Sequence, residues 1–228
     1  MKSNQLISYS IPKMIYKRQR KFFSEAYKTG EHGWPAEIPT RTVVRFLKEI
    51  KIEKPEGEVL DIGCGEGRHT IFFAENGYDA YGFDMELLAI KSAKRFAKIK
   101  GIKKNIHLFI GNILSLPFSH NIFDIAIDYG CLHHIKKSDL KIYIENVSMV
   151  LKEGSFFVLS VFSTKFKHYE GERRKRKWLV HNNHYDHFFT KKDIRQLFKK
   201  AFNVLKVEEE KSGLHVFYHC LMQVKTDR

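Results

Sequence analysis

The sequence is poor in cysteine and contains no long apolar run. Its three cysteines, Cys64, Cys131 and Cys220, are far apart, and none belongs to a C-x-x-C pair. This argues against a zinc site and against a disulfide framework, and it favours a reducing compartment. No apolar stretch approaches the roughly 20 residues that a bilayer crossing needs, and the amino terminus lacks the continuous apolar core of a signal peptide. We therefore expect a cytoplasmic protein without membrane insertion.

Acidic residues are scarce relative to basic ones. The 228 residues include 40 Lys and Arg but only 26 Asp and Glu, which gives a formal net charge of +14. Such a surface attracts polyanions, with RNA the first candidate and an anionic membrane or acidic substrates behind it, yet Lys and Arg also coat soluble proteins without any such partner. With 43% hydrophobic and 14% aromatic residues, the chain can bury one substantial core.

Residues 1–56 are predicted to form an N-terminal helical cap on the main domain. Phe22, Phe23 and Tyr27 fall on one side of a short amphipathic helix, and the pattern over 42–50 predicts a second one. The cap is expected to pack on the domain that follows rather than to fold separately.

Strand and helix patterns alternate from 57 to 228. Five β–α alternations are followed by two strands without an intervening helix, which we expect to pair antiparallel. This order indicates an α/β sandwich on a mainly parallel sheet. The stretch at about 163–189 is too long for an ordinary connection and is predicted to be a functional insertion.

Capping residues mark two later helix boundaries. An apolar stripe predicts a helix over about 138–151 that ends at Gly154. Thr190 and Asp193 have the spacing of a capping box and predict the start of another helix.

The most informative stretch is the turn within 59–68. Its apolar start, 59–62, is typical of a buried strand, and Gly63, Gly65 and Gly67 follow at every second position before a helical pattern begins. Glycine lets the backbone turn sharply and lets a ligand approach it. The helix start adds unpaired N–H groups and a partial positive charge. A strand–glycine–helix turn of this kind predicts a nucleotide-like ligand. The glycine spacing differs from the G-x-G-x-x-G of dinucleotide-binding folds.

Asp84 ends the second predicted strand. A carboxylate at this place can accept hydrogen bonds from both hydroxyls of a ribose. It can also cap the helix that begins near Glu86, and the two roles can coexist.

Further short motifs follow the glycine turn in a fixed order. They are Gly82-Phe83-Asp84, Gly111-Asn112-Ile113-Leu114-Ser115-Leu116-Pro117-Phe118, Phe123-Asp124-Ile125-Ala126-Ile127, Leu132-His133-His134-Ile135 and Leu151-Lys152-Glu153-Gly154. As a set they resemble class I S-adenosylmethionine-dependent methyltransferases over roughly residues 40–225. The resemblance implies a Rossmann-like three-layer sandwich, a seven-stranded mainly parallel sheet with an antiparallel last strand, and S-adenosylmethionine as the cofactor.

The resemblance also implies roles for single residues. Asp61 and the three glycines would surround the methionine part of the cofactor, and Asp84 would hold the ribose. Asn112 and Ile113 would lie beside adenine, and Tyr129, after the fourth strand, would border the reacting methyl. The commonest pattern has Asp at the position of Asn112. An asparagine carbonyl can still accept a hydrogen bond from the adenine amine, but it lacks the charge.

Methyl transfer from a sulfonium needs little acid–base machinery. Alignment of the reactants and exclusion of water supply much of the catalysis. A base is needed only where the accepting atom must lose a proton. Tyr129, His133 and His134 are the candidates for a catalytic role, and for the two histidines we favour packing over catalysis.

The acceptor site is expected to combine the insertion with the cap. His184, Tyr185 and His187 precede a predicted helix at the carboxyl edge of the sheet, and together with Trp34 they are the predicted acceptor contacts. His181 and His184 are three residues apart, but this segment is predicted to be a loop and no cysteine supports it. No metal is therefore predicted.

A basic run at 173–177 adjoins these histidines. It is either a solvated loop or a grip for phosphates beside the site, and basic faces at 91–98 and in the cap add two further patches. The leading hypothesis is a methyltransferase with a small-molecule acceptor. An RNA methyltransferase, acting on tRNA, remains open, as does a non-catalytic partner subunit. The intact glycine turn and Asp84 count against the last of these.

Overall fold

The computed structural model describes residues 14–30, 32, 34, 38–50, 57–167, 172, 174, 177–181, 184–213 and 215–226. A seven-stranded sheet lies at its centre. The strands of this sheet are β1 (Glu58–Ile62), β2 (Asp79–Asp84), β3 (Ile106–Ile110), β4 (Phe123–Tyr129), β5 (Leu151–Phe162), β8 (Phe202–Ser212) and β9 (His215–Val224). A separate antiparallel hairpin consists of β6 (Trp178–His181) and β7 (His184–His187).

Helices cover both faces of the sheet. The α-helices of the described residues are α1 (Met14–Thr29), α2 (Arg41–Glu49), α3 (Arg68–Glu75), α4 (Leu87–Ile99), α5 (Leu140–Val150) and α6 (Lys191–Phe198). Within the described part of the chain, none of them combines the length and the apolar character that a bilayer crossing requires.

The strand order is β3-β2-β1-β4-β5-β9-β8. Neighbours from β3 to β5 are parallel, and β9 is antiparallel to both β5 and β8. This confirms the predicted Rossmann-like sandwich with an antiparallel last strand. Because parallel strands end at the same edge of a sheet, the segments that follow β1, β2 and β4 meet along one edge.

The two faces of β1 show how the layers are held. Leu60 and Ile62 join the apolar cluster that includes α5 and α6, whereas Val59 joins the cluster that includes Phe46 of α2 and Phe73 of α3. Strands buried on both faces are apolar at consecutive positions rather than alternate ones. The second helix of the predicted cap therefore packs directly on the central sheet.

The predicted boundary between cap and main domain falls at residue 56. Residues 51–56 lie outside the described residues, so this boundary stays a prediction. The first and second cap helices are present as α1 and α2.

One predicted helix boundary is wrong. The helix before β5 ends at Val150, and Leu151, Gly154 and the residues between them already belong to the strand. Leu151 pairs with Phe123 of β4, so hydrogen bonds between strands override the local helical pattern. The predicted capping box is confirmed, because Thr190 and Asp193 each bond to the other's backbone N–H at the start of α6.

The stretch 163–189 contains more order than a loop. In addition to the β6–β7 hairpin, it has a small apolar cluster of Phe166, Leu179 and Phe188, which packs against Phe162 at the end of β5. The insertion is thereby fixed to the carboxyl edge of the sheet.

Candidate functional site

The glycine turn after β1 has the backbone that the sequence predicts. Gly63, Gly65 and Gly67 have φ values of +65°, +54° and +83°, where residues with a Cβ are strained. A Cβ on Gly63 would lie 2.9 Å from the Cβ of Cys131, and one on Gly65 would lie 2.9 Å from the hydroxyl oxygen of Tyr27. Glycine is required both for the conformation of this turn and for the close approach of two other segments.

Asp61 joins β1 to the helix behind the turn. It is buried, and its Oδ2 accepts hydrogen bonds from the backbone N–H of Thr70 at 3.0 Å and from the Thr70 hydroxyl at 2.6 Å. Burial raises the pKa of Asp61 to about 6, although the two bonds from Thr70 act in the opposite direction. The carboxylate thus fixes how α3 leaves the turn.

Asp84 closes the turn from the side of β2. Its Oδ2 accepts from the N–H of Gly65 at 3.0 Å, and its Oδ1 accepts from the N–H of Glu86 at 2.9 Å. Burial raises the pKa of Asp84 to about 6, against the effect of these bonds. The contact with Glu86 is the helix-starting role considered above. The N–H of Met85 also interacts with this carboxylate, which has about four acceptor sites and so keeps capacity for a ligand hydroxyl.

Asn112 and Ile113 follow β3. Asn112 is exposed, and its Oδ1 accepts from the N–H of Leu114 at 2.9 Å in a local turn. Ile113 is buried in the core cluster with α5, and its carbonyl accepts from the side-chain amide of Asn146 at 2.7 Å. The side chain of Asn112 is therefore open to a ligand, whereas that of Ile113 contributes to the core.

Tyr129 is the last residue of β4. Its ring stacks on Phe217 and His219 with centroid distances of 5.8 and 5.9 Å, and the guanidinium of Arg68 lies 4.7 Å from its centre. Burial lowers the pKa of Arg68, while the charge of Asp61 raises it. In the described part of the chain no carboxylate pairs with Arg68, so a cation lies between the glycine turn and Tyr129.

The two adjacent histidines after β4 have different surroundings. His133 is buried and stacks on Phe162 at 3.7 Å, and burial lowers its pKa well below the ordinary value. The His134 side chain is 18% exposed, and its Nδ1 lies 3.1 Å from both the carbonyl oxygen of Tyr185 and Oδ1 of Asp186. The structure thus packs His133 away and leaves His134 at the edge of the sheet.

Strand β7 sorts the predicted acceptor contacts onto two faces. His184 and Asp186 point to the same side, with Nε2 of His184 3.2 Å from Oδ2 of Asp186. Tyr185 and His187 point to the other side, where the Tyr185 ring stacks on Trp178 at 6.1 Å and burial lowers the pKa of His187 to about 4. Because successive side chains of a strand alternate, only His184 and Asp186 face His134.

The aromatic face of α1 lies against these histidines. Phe22 stacks on His184 with a centroid distance of 4.1 Å, and Phe23 meets His134 edge-on at 4.9 Å. The first cap helix therefore covers the carboxyl edge of the sheet. There β7 meets the turn Leu132–His134, which we call the histidine turn.

The end of α1 and the residues after it extend this cover to the glycine turn. Trp34 stacks on His32 at 4.5 Å and packs edge-on against Tyr27 at 5.6 Å. His32 in turn lies 3.4 Å from the carboxylate of Glu66. Tyr27 and Trp34 thus lie on the turn side of the site, and six rings form what we call the aromatic lining: Phe22, Phe23, Tyr27, Trp34, His134 and His184.

Buried polar contacts hold α1 in this position. The side-chain amide of Gln19 donates to the carbonyl of His134 at 3.0 Å and accepts from the N–H of Tyr185 at 3.2 Å. Arg20 pairs with the buried carboxylate of Glu86 at 3.1 Å. One helix is therefore bonded to the histidine turn, to β7 and to the start of α4.

The basic run at 173–177 has internal partners at its two described residues. Arg174 pairs with Glu172 at 2.5 Å and lies 3.6 Å from the centre of the Phe188 ring, and Lys177 pairs with Asp193 at 2.6 Å. The other three residues of the run lie outside the described residues. Neither Arg174 nor Lys177 is placed as a free phosphate grip. Among the described residues, no group of three or more His, Cys, Asp or Glu is arranged to hold a metal ion.

Sequence reasoning missed four residues that the structure brings into the site: Gln19, Tyr27, Arg68 and Asp186. The signal for Asp186 was present, since it is two positions from His184 and would share its face in a strand. Arg68 directly follows the last glycine of the turn. Gln19 carries no signal, because an amide on a helix has no preferred partner until the tertiary contacts form.

Comparisons with known proteins add to this geometry. A family model described as a methyltransferase domain matches residues 53–202. An uncharacterized methyltransferase of Schizosaccharomyces pombe is 29% identical over 138 residues, which cover 59% of this chain and 94% of that protein. The 2-heptyl-1-hydroxyquinolin-4(1H)-one methyltransferase of Mycobacteroides abscessus is 29% identical over 117 residues, 51% of each chain.

A solved structure shares the whole fold. The 1,6-didemethyltoxoflavin-N1-methyltransferase of Burkholderia thailandensis, with bound 1,6-didemethyltoxoflavin and S-adenosylhomocysteine, superposes with a TM-score of 0.75 at 21% identity. The match covers 95% of this chain and 92% of that one. At this identity the likeness concerns the fold.

Proposed function

The chain belongs to the methyltransferase-domain family of S-adenosylmethionine-dependent enzymes, and from this premise we propose that its acceptor is a small, flat aromatic or heteroaromatic molecule. The observation that carries the proposal is the aromatic lining, in which rings from α1, the segment after it, the histidine turn and β7 converge at the carboxyl edge of the sheet. Flat rings bind against such side chains by stacking and edge contacts.

The residues of the glycine turn suit the cofactor. Gly63, Gly65 and Gly67 have the positive φ values that so sharp a turn needs. The start of α3 behind them carries a partial positive charge, which suits an anionic part of a ligand. When bound, S-adenosylmethionine supplies an electrophilic methyl group on a sulfonium. We propose that Gly67 and Asp61 border its methionine part and that Arg68 faces its carboxylate.

The remaining predicted contacts extend along the same edge. Asp84 would accept a hydrogen bond from a ribose hydroxyl with the acceptor capacity that its backbone N–H partners leave. Asn112 would lie beside adenine with its exposed side chain, and Ile113 would support that position from the core. Tyr129 would border the methyl group, and Trp34 and His184 would contact the acceptor.

The names of two similar proteins support an aromatic acceptor. The relative in M. abscessus is named for a hydroxyquinolinone, and the solved structure from B. thailandensis contains 1,6-didemethyltoxoflavin. Both are ring systems of the kind that an aromatic lining accommodates. The internal ion pairs of Arg174 and Lys177 offer no support for an RNA acceptor.

Cofactor binding is tested by calorimetry with S-adenosylmethionine. We expect the wild-type protein to bind it and Asp84→Ala and Gly65→Val to weaken binding at least tenfold, because the first removes the ribose acceptor and the second fills the turn. Asp79→Asn, at the opposite end of β2, is the matched control. Unchanged affinity in both site variants would contradict the assignment of the turn.

The acceptor class is tested by transfer of a labelled methyl group. The wild-type protein is incubated with labelled S-adenosylmethionine and with hydroxyquinolines, saturated cyclic alcohols and amines of the same size, mixed tRNA, and denatured protein. We expect label in the aromatic compounds. Label in tRNA or in the saturated compounds, with none in the aromatic ones, would refute the proposal.

A further inference from the structure

The two ring nitrogens of His134 face different surroundings. Nδ1 is 3.1 Å from the carbonyl oxygen of Tyr185 and 3.1 Å from Oδ1 of Asp186. A carbonyl and a carboxylate can only accept hydrogen bonds, so Nδ1 must carry a proton. A neutral imidazole has a single N–H, and Nε2 of His134 therefore holds the lone pair.

Nε2 is on the open side of the ring. The side chain of His134 is 18% exposed while that of Asp186 is 2% exposed. Among the described residues, Nε2 of His134 has no hydrogen-bond partner, and the ring meets Phe23 of the aromatic lining edge-on. An acceptor bound against the exposed part of this ring, beside Phe23, would come within reach of an unprotonated nitrogen.

Asp186 is placed to stabilise a positive charge on His134. Its buried carboxylate faces Nδ1 of His134 with one oxygen and Nε2 of His184 with the other. Asp128 of β4 also interacts with His134, and burial raises the pKa of Asp128 to about 7. His133, in contact with the same ring at 4.3 Å, stays neutral because of its burial. Asp128, His133 and Asp186 therefore place no fixed positive charge beside His134 that would repel a proton arriving at Nε2.

We infer that His134 is the general base for an acceptor whose reacting oxygen or nitrogen carries a proton, and that Asp186 is the residue that positions it. The inference rests on the proposed function. The acceptor atom forms a bond to the methyl carbon while the carbon–sulfur bond breaks and the sulfur keeps its electron pair. The proton of the acceptor atom moves to Nε2 of His134, and the positive charge passes from the sulfonium to the imidazolium beside Asp186.

His133 does not share this role. His133 as a residue is 3% exposed and its ring is stacked on Phe162, so no acceptor can reach either nitrogen without displacing the core. The pair of histidines, alike in the sequence, is divided by the structure into a packing residue and an open one.

The test compares two acceptors that differ in whether a base is needed. At slightly alkaline pH, 6-hydroxyquinoline keeps its hydroxyl proton, whereas the hydroxyl of 5-nitro-6-hydroxyquinoline is already ionised. We expect His134→Gln to lower kcat about 100-fold with the first compound and less than about threefold with the second. Asp186→Asn should show the same selectivity with a smaller loss, and imidazole should partly restore His134→Ala with the first compound.

A control and a second readout separate this role from a structural one. Asp79→Asn removes a comparable Asp–His contact, the 2.8 Å pair with His107 on the far side of the sheet, and should leave both rates unchanged. Nitrogen-15 spectra of the histidine rings, with His134→Gln for assignment, should show the tautomer protonated at Nδ1. Calorimetry should show unaltered S-adenosylmethionine affinity in the His134 variants.

The outcomes are distinguishable. Selective loss with the Nδ1–H tautomer supports the inference. Equal loss with both acceptors, or a ring protonated at Nε2, overturns the base while leaving the proposed function in place. If the wild-type protein methylates neither quinoline nor any other aromatic compound, the proposed function fails and the inference fails with it.

Discussion

Asp84 accepts backbone N–H groups from two segments, Gly65 of the glycine turn and Glu86 at the start of α4. A single carboxylate thereby sets the spacing between the turn and the next helix. Its burial raises its pKa to about 6, which brings its ionisation close to neutral pH. The charge of Asp84 therefore changes with pH near the conditions of ordinary binding experiments.

We expect the affinity for S-adenosylmethionine to fall as the pH is lowered through about 6. The cofactor's ribose hydroxyls donate to the ionised carboxylate, while the free protein takes up a proton at Asp84 below its pKa of about 6. Proton and cofactor therefore compete, and the association constant should fall by up to about tenfold per pH unit below that value. Calorimetry at a series of pH values measures the slope.

The control for this prediction is Asp84→Asn. It should bind more weakly at neutral pH and lose most of the slope, because an amide does not titrate. A wild-type affinity that stays constant from pH 7 to about pH 5 would contradict the role of Asp84, since the raised pKa would then have no effect on binding.

Gly82 in β2 is needed for a different reason. A Cβ there would lie 2.5 Å from the hydroxyl oxygen of Thr70 and 3.0 Å from a methyl carbon of Leu108. The same hydroxyl donates to Asp61. The bond that ties β1 to α3 thus depends on the absence of a side chain on the neighbouring strand.

We expect Gly82→Ala to lower the free energy of unfolding by about 2 kcal/mol or more, because it overpacks the site and displaces Thr70 from a buried carboxylate. Chemical denaturation measures the change. Gly101→Ala is the control: Gly101 has φ +72° and nothing within 4 Å, so its cost is limited to backbone strain of about 1 kcal/mol. Equal losses in the two variants would show that the contact with Thr70 is unimportant.

At the scale of elements, α1 connects the parts of the site. Gln19 bonds to the histidine turn and to β7, Tyr27 reaches Gly65, and Phe22 and Phe23 contribute to the aromatic lining. The helix covers the carboxyl edge through side chains alone and adds no strand to the sheet. Its position therefore depends on a few buried polar contacts rather than on a ladder of backbone bonds.

We expect Gln19→Glu to loosen α1. The substitution turns the donor that faces the carbonyl of His134 into an acceptor, which leaves that carbonyl unpaired at a cost of about 1–3 kcal/mol. Hydrogen exchange of the α1 amides should become about 10- to 100-fold faster while exchange in β4 and β5 stays unchanged. Glu25→Gln, on the exposed side of the same helix, is the control. No change in α1 exchange would contradict the role of Gln19.

At the scale of the whole molecule, the net charge of +14 does not describe where the charges act. Arg45 of α2 pairs with Glu49 and with Glu208 of β8. Arg174 is buried beside Glu172 and over the ring of Phe188. Some of the basic residues therefore form ion pairs within the protein, although the composition alone predicts a polyanionic partner.

We expect Arg174→Ala to lower stability by about 3 kcal/mol, because it removes the ion-pair partner of a buried carboxylate. It should leave the salt dependence of mixed-tRNA binding unchanged. Arg18→Ala, an exposed basic residue of α1, is the comparison for binding. A tRNA affinity whose salt slope flattens in the Arg174 variant, without loss of stability, would instead indicate a phosphate contact.

Local patterns predicted the elements whose hydrogen bonds are local. The capping box of Thr190 and Asp193 and the left-handed glycines of the turn follow from contacts within a few residues. The start of β5 at Leu151 did not, because its partners lie on β4 and β9, far away in the chain. Local patterns also fail for 163–189. The sequence predicts a loop there, whereas the structure has a hairpin packed on its own apolar cluster.

The sequence by itself determined the order of strands and helices in the central sandwich, because periodicity and capping are properties of neighbouring residues. The family followed from the resemblance of its motifs taken as a set. Only the tertiary structure decided which histidine of the pair is open and that Asp186 lies beside it. His134 bonds to the carbonyl of Tyr185, the residue before Asp186, across 51 positions, and Gln19 joins β7 across 166 positions. Residues so far apart in the sequence come together only when whole helices and strands pack, and no local pattern predicts that packing.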